Sequence, residues 1–123
     1  MRVEPRFDEL VHGAVRLRVC GLLARLGSTE FALLRDSLEV SDPTLSKHLK
    51  QLEQAGYVQL VKGPGPGGRT HTWADLTAKG HTAFDGHVAF LHEVIDGDPG
   101  AGKPAGRPPA SIRPPRSGAD DGV

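Results

Sequence analysis

Ser41-Asp-Pro-Thr-Leu-Ser-Lys-His-Leu-Lys-Gln-Leu-Glu-Gln-Ala-Gly-Tyr-Val58 is the stretch that decides the architecture of this 123-residue chain. Leu45, Leu49 and Leu52 recur at i, i+4 and i+7, which on a 3.6-residue period makes one narrow apolar stripe. Pro43, Lys47, Lys50, Gln51 and Gln54 take the opposite side. Ser41 or Asp42 can accept from the free N–H groups at the start. Pro43 suits a first turn, where its missing donor has no intrahelical partner, and Gly56 stands where a left-handed C-terminal residue is wanted. The spacing predicts a helix over about 42–55, roughly 20 Å long at about 1.5 Å per residue. Leucines hold it down, and hydroxyls, amides and ammonium groups face outward.

Upstream, the pattern from Phe7 to Leu26 is helical, with Leu10, Val11, Ala14, Val15, Leu22, Leu23 and Leu26 available to a core and Arg16, Arg18 and Arg25 between them. Gly13 costs about 1 kcal/mol against alanine inside a helix, so either one bent helix or a short helix followed by a long one is expected. Gly27 ends it. Ser28 or Thr29 can then cap a short helix carrying Phe31, Leu33, Leu34 and Leu38, and Val40-Ser41 forms a tight connection into the 42–55 helix. Two helices joined by a short turn make a helix-turn-helix.

Downstream, Tyr57-Val-Gln-Leu-Val-Lys62 alternates like a half-buried strand, and Arg69-Thr-His-Thr-Trp-Ala-Asp75 supplies its partner. No ladder or helix continues through Gly63-Pro-Gly-Pro-Gly-Gly68, so a hairpin with Lys62, Arg69 and His71 on its shoulders is expected; the plainer reading is a flexible turn. Thr77 can cap a last helix to about Ile95, in spite of Gly80 and Gly86. Its Phe84, Val88, Leu91 and Ile95 form one apolar seam that either meets a second copy or closes the monomer core. From Gly97 proline and glycine dominate, and Ile112 and Val123 are the only large aliphatic residues. Such a segment buries too little to offset the entropy of ordering, so 97–123 is expected to be a disordered or locally polyproline-like tail beside a 1–96 domain.

Leu45-Ser-Lys-His-Leu49, Leu52 and Ala55-Gly-Tyr-Val58 together resemble the recognition helix and exit turn of winged helix-turn-helix transcriptional regulators, in particular the MarR-like and ArsR-like proteins of bacteria. The resemblance continues through the basic glycine-rich hairpin and Leu76-Thr-Ala-Lys-Gly80, so it covers roughly 7 to 95. It implies a mainly α fold with a small β-hairpin (α+β), whose hairpin is the wing and whose terminal helix pairs with its twin. Phe84, Val88, Leu91 and Ile95 would then be a homodimer contact.

A helix laid in the major groove reads base edges with side chains near its N-terminus while cations grip the backbone. Thr44, Ser46, Lys47, His48 and Gln51 are the candidates at or near bases. Lysine can donate to guanine, glutamine can pair with adenine, and a threonine methyl can touch thymine. Lys50, Lys62 and Arg69 suit phosphate, with His71 beside them on the wing. Lys103, Arg107, Arg113 and Arg116 could add weak contacts from the tail, although a solvated tail with no role is the plainer expectation. One module of this size buries only about 600 to 1,000 Å² on DNA, so two copies on an inverted-repeat operator are expected, acting as a repressor. The alternatives are the same fold serving as a protein-interaction module, and an ArsR-like metal-responsive repressor.

Lysine plus arginine and aspartate plus glutamate number 15 each, so the net charge is zero; attraction to DNA must come from the local set Lys47, Lys50, Lys62 and Arg69. The single Cys20 can form no intrachain disulfide; in an apolar helix it is expected to be a small buried residue, the alternative being a redox-sensing thiol. With no signal-like N-terminus and no apolar run of about 20 residues, a cytoplasmic protein without membrane contact is expected. No nucleophile, base and orienting group appear in a recognisable arrangement, and the glycine-rich tip lacks what a phosphate-binding loop needs, so an enzyme is not expected. Any small-molecule effector would use a crevice near His12, Arg16, Trp73, Phe84 and His87. Asp85, His87, His92 and Glu93 resemble the ligands on ArsR-like terminal helices. His87 and His92 stand five apart, however, not at the i, i+4 spacing that puts two imidazoles on one helix face, so neither metal nor cofactor is assigned.

Overall fold

A computed structural model of the chain describes residues 3–97. Contacts divide the chain into two units, Met1–Leu91 and His92–Val123. The architecture below is that of the first; of the second, the described residues carry the end of the last helix. The expected tail, apart from Gly97, lies outside the described residues.

In chain order the elements are α1 (Glu9–His12), α2 (Ala14–Leu26), β1 (Thr29–Glu30), α3 (Phe31–Leu38), α4 (Asp42–Gln54), β2 (Val58–Pro64), a 3-10 turn (Pro66–Gly68), β3 (Thr70–Leu76) and α5 (Ala78–Asp96). Of the two outcomes open at Gly13, the broken helix is found: Gly13 is extended, at φ −60 and ψ 140, between α1 and α2. The Arg16 guanidinium lies where a Cβ at this position would go.

Helix α4 has both of its written ends. The Ser41 hydroxyl accepts from the Thr44 N–H at 3.2 Å, and Pro43 occupies the first turn. At the other end Gly56 adopts φ 81, the Tyr57 N–H donates to Leu52 O and the Gly56 N–H to Glu53 O, both at 2.9 Å. That pair of bonds is a Schellman closure, and it satisfies carbonyls the helix would otherwise leave bare. Leu45, Leu49 and Leu52 are at most 1% exposed and sit in the core with Val19, Cys20, Leu23, Leu34 and Leu38 from α2 and α3. At about 1.5–3 kcal/mol for each buried leucine, this stripe is the main attachment of α4.

The sheet differs from the expected two-stranded hairpin. It has three strands in the order β1-β3-β2, with Thr29 opposite Ala74 and Glu30 opposite Trp73. Residues 28–29 do not cap α3: Thr29 is extended and buried, its hydroxyl donates to Gly27 O at 2.8 Å, and α3 starts after Glu30 with no side-chain cap. Pairing with β3 satisfies the backbone of this short segment itself.

The start of α5 docks onto the exit of α4. The Thr77 N–H donates to Tyr57 O at 3.0 Å, its hydroxyl donates to Gly56 O at 2.6 Å, and it caps α5 by accepting from the Gly80 N–H at 3.0 Å. A Cβ on Gly80 would collide with the Tyr57 carbonyl oxygen. Glycine at 80 is therefore a condition of close approach, not only a weakness in the helix.

Candidate nucleic-acid interface

Outward from the leucine stripe, α4 exposes Ser46, Lys47 and Lys50, with Thr44 half-buried at its start. Arg35 at the end of α3 reaches the Asp42 carboxylate at 3.0 Å and also pairs with Asp36 at 2.9 Å, which ties the first helix of the motif to the second. The hydrogen bond to Asp36, then that to Asp42, raises the Arg35 guanidinium above its ordinary value. The two carboxylates are exposed and the guanidinium partly so, so the pairs serve alignment more than stability.

The β2–β3 hairpin carries Lys62 and Arg69 exposed. Its tip closes through Gly65 N–H to Arg69 O at 3.0 Å and Gly68 N–H to Gly65 O at 3.2 Å, with Gly67 and Gly68 at φ 78 and 76. Among the described residues Lys47, Lys50, Lys62 and Arg69 take part in no ion pair. Their charge is not spent within the fold.

Three of the expected contact residues are half-buried and also bonded within the fold. His71 is half-buried: its imidazole meets the Glu30 carboxylate through Nδ1 and the Pro66 carbonyl through Nε2 at 3.0 Å. It braces the root of the wing, because β1 brings Glu30 alongside β3. His48 and Gln51 are also half-buried, and both are held by Arg16 of α2. Nothing in the local pattern of α4 announces that residue, which lies more than thirty positions upstream.

A second cluster, missed by the sequence pattern, ties α1, α5 and the exit of α4 together. Asp8 caps α1 by accepting from the Val11 N–H at 2.9 Å, accepts from the Tyr57 hydroxyl at 2.5 Å, and donates its own N–H to His87 Nδ1 at 3.0 Å. His87 Nε2 faces His12 Nδ1 at 3.0 Å, and Phe7 packs against both imidazoles. Since Nδ1 accepts from a backbone N–H, the His87 ring is neutral with its proton on Nε2. Burial, and next the neighbouring His12, lower its pKa, against a smaller raising effect of Asp8. The hydrogen bond to Asp8 pushes Tyr57 up to about 12, and burial pushes the Cys20 thiol up to about 12, which fits the expected inert core residue.

Next to this cluster is a cavity of about 780 Å³ whose lining includes Arg6, Phe7, Tyr57, Lys79 and Thr82. The residues expected around an effector do not converge on it. His12 and His87 meet each other, Arg16 turns to α4, Trp73 lies in β3, and Phe84 lines a separate groove of about 500 Å³. Val88 and Leu91 share that groove with Leu17, Leu22 and Leu38, whereas Ile95 is 76% exposed. Among the described residues no three His, Cys, Asp or Glu side chains converge as metal ligands. No described helix is long and apolar enough to cross a membrane.

Comparison with known proteins gives a family. Residues 15–95 match the winged helix DNA-binding domain. An uncharacterized protein of Methanocaldococcus jannaschii is 34% identical over 87 residues, 71% of this chain and 90% of the relative. Among solved structures, a transcriptional regulator homologue from Pyrococcus horikoshii superposes with a TM-score of 0.67 at 24% identity, covering 73% of this chain and 88% of that one. A protein described as a MarR-family transcriptional regulator, from Enterococcus faecalis, gives a TM-score of 0.62 at 18% identity, over 71% of this chain and 77% of that one.

Proposed function

The chain belongs to the winged helix DNA-binding domain family, and from that premise we propose that it is a sequence-specific transcriptional regulator, a homodimeric repressor that occupies an inverted-repeat operator. The observation that carries this reading is the pairing of an outward α4 face, with Ser46, Lys47 and Lys50 exposed, and a wing whose Lys62 and Arg69 are exposed and unpaired among the described residues. Thr44 and Ser46 meet base edges at the helix N-terminus; Lys47 and Lys50 lie over bases and phosphate; Lys62 and Arg69 hold the backbone beside them. The second copy packs on the groove formed by Phe84, Val88 and Leu91. It is not an enzyme in this reading.

Footprinting on the protein's own promoter region tests it, with affinity followed against salt. Protection of an inverted repeat is expected. If the dimer makes about 6 to 10 phosphate contacts, affinity falls about 10³- to 10⁵-fold between 50 and 200 mM salt. Alanine at both Lys47 and Lys50 flattens that slope by about two contacts per protomer, about four for the dimer. A wild-type affinity that hardly changes with salt sinks the regulator reading and leaves the fold as a protein-interaction module.

We place a small-molecule effector in the cavity at Arg6, Tyr57 and Lys79, because Lys79 lies over the Tyr57 ring at 5.7 Å and Tyr57 immediately follows the Gly56 turn that ends α4.

A further inference from the structure

Arg16 belongs to α2, not to the reading helix, yet its guanidinium is built into the side of α4. Its Nε–H donates to Leu10 O at 2.5 Å, in the gap left by the broken helix, where Gly13 has no Cβ to obstruct it. Its Nη1 lies 3.1 Å from His48 Nδ1 and 3.2 Å from Gln51 Oε1. A guanidinium nitrogen only donates. With both bonds from that nitrogen made, the facing atoms of His48 and Gln51 are acceptors, its two hydrogens serve both, and the 3.3 Å approach of His48 Nδ1 to Gln51 Oε1 is a contact between two acceptors, not a hydrogen bond.

What each residue retains is a donor: the Nε2–H of His48 and the Nε2 amide hydrogens of Gln51. Neither has a hydrogen-bond partner among the described residues. A glutamine pairs with adenine by accepting from N6 through its oxygen while donating to N7. With Oε1 turned towards α2, that pairing is closed to Gln51. Guanine offers two acceptors, O6 and N7, in the major groove, whereas adenine sets a donor beside its single acceptor.

We propose that Arg16 fixes the polarity with which His48 and Gln51 read the groove, so that both act as donors and the operator half-site carries guanine, not adenine, opposite them. This rests on the DNA-reading role of α4 proposed above. Arg16 is a positioning residue, acting on bases only through its two neighbours.

Binding-site selection from randomised duplexes, using the full chain, tests it. The Gln51 position in the site is the base pair whose preference Gln51→Ala erases, and wild type is expected to enrich guanine there. Arg16→Met frees the amide to rotate, and the ratio of adenine to guanine at that position rises about tenfold, within the range of one good base contact. Gln51→Glu keeps a partner for Arg16 but presents an acceptor, and turns the same position towards cytosine, whose N4 donates. A merely structural Arg16 would weaken binding at every position alike. Adenine preferred by wild type, an unchanged ratio in Arg16→Met, or a Gln51→Ala variant that alters no position overturns the proposal. If Arg16→Met fails to fold by circular dichroism, the Gln51→Glu result decides alone, and an unchanged preference overturns it. A wild-type chain that enriches no sequence defeats the DNA-reading role itself, an outcome separate from all of these.

Discussion

Helices α4 and α5 are attached to the same body by opposite means. α4 is held through three leucines, each buried to within 1% of complete, and its Ser46, Lys47 and Lys50 are left exposed. In α5 the buried positions are Gly80, Gly86 and His87, while Phe84, Val88 and Leu91 are only partly covered. Gly80 is pressed against the Tyr57 carbonyl, Gly86 O accepts from the Arg6 N–H at 2.9 Å, and His87 takes up the Asp8 N–H. One helix is fastened by apolar side chains, the other by close backbone approach and polar contacts. Apolar periodicity predicts the first kind of attachment and overlooks the second.

The largest effect expected from that contrast is at Leu49. Leu49→Ala removes a fully buried side chain from the stripe and costs about 2–5 kcal/mol of unfolding free energy, measured by urea denaturation. A loss below about 1 kcal/mol would mean that α4 is not held from beneath. Gly80→Ala comes next and inverts the usual expectation. Helix propensity alone favours alanine by about 1 kcal/mol, but the new Cβ meets a backbone carbonyl that is itself bonded to the Thr77 N–H. Overpacking of this kind costs about 1–3 kcal/mol, so a net loss is expected. A gain in the denaturation midpoint would show that the start of α5 docks loosely.

Legibility in the sequence follows the same division. The caps of α4, its stripe, the Thr77 cap and the hairpin are local signals, each contained in a few neighbouring residues, and the structure has them, except that the β2–β3 ladder continues through Gly63 and Pro64, where none was expected, and the tip beyond is a 3-10 turn. β1 escaped because two residues, Thr29 and Glu30, carry no period, and their partners Ala74 and Trp73 lie more than forty positions downstream. Arg16 reads in the sequence as a cation between apolar residues or a face of an effector crevice; its reach to α4 depends on the break at Gly13, which no local pattern fixes. His71 looked like a wing shoulder because nothing local indicates that Glu30 stands across from it.

His87 gives the contrast a pH signature, smaller because a single proton is involved. Its folded-state pKa lies below the ordinary 6.5, the ring being buried and neutral beside His12. As the pH falls through that value the unfolded chain takes up a proton that the folded chain refuses, so this group's contribution to stability is lost on the acid side and present above it. Denaturation midpoints at about pH 7.5 and pH 5.5 measure this. His87→Gln keeps an acceptor for the Asp8 N–H and a donor for His12 Nδ1 without titrating, so its midpoint changes less between the two pH values. Equal changes in wild type and variant would remove His87 as the source.

The smallest effect is expected at the far end of α5. Ile95 belongs to the same seam by sequence as Phe84, Val88 and Leu91, but it is 76% exposed, and Val94 beside it is 64% exposed. Truncating an exposed aliphatic residue changes monomer stability by no more than about 0.5 kcal/mol. Ile95→Ser should therefore leave the denaturation midpoint of dilute protein unchanged. Two large aliphatic side chains in water at consecutive positions are costly unless something covers them, at about 25 cal/mol per Å² of apolar surface. If the proposed second copy covers them, the same variant weakens self-association, and sedimentation moves towards the monomer at concentrations where wild type is still a dimer. A variant that alters neither quantity would confine the dimer contact to the groove at Phe84, Val88 and Leu91, and the division within α5 would then fall where its exposure changes, between Leu91 and His92.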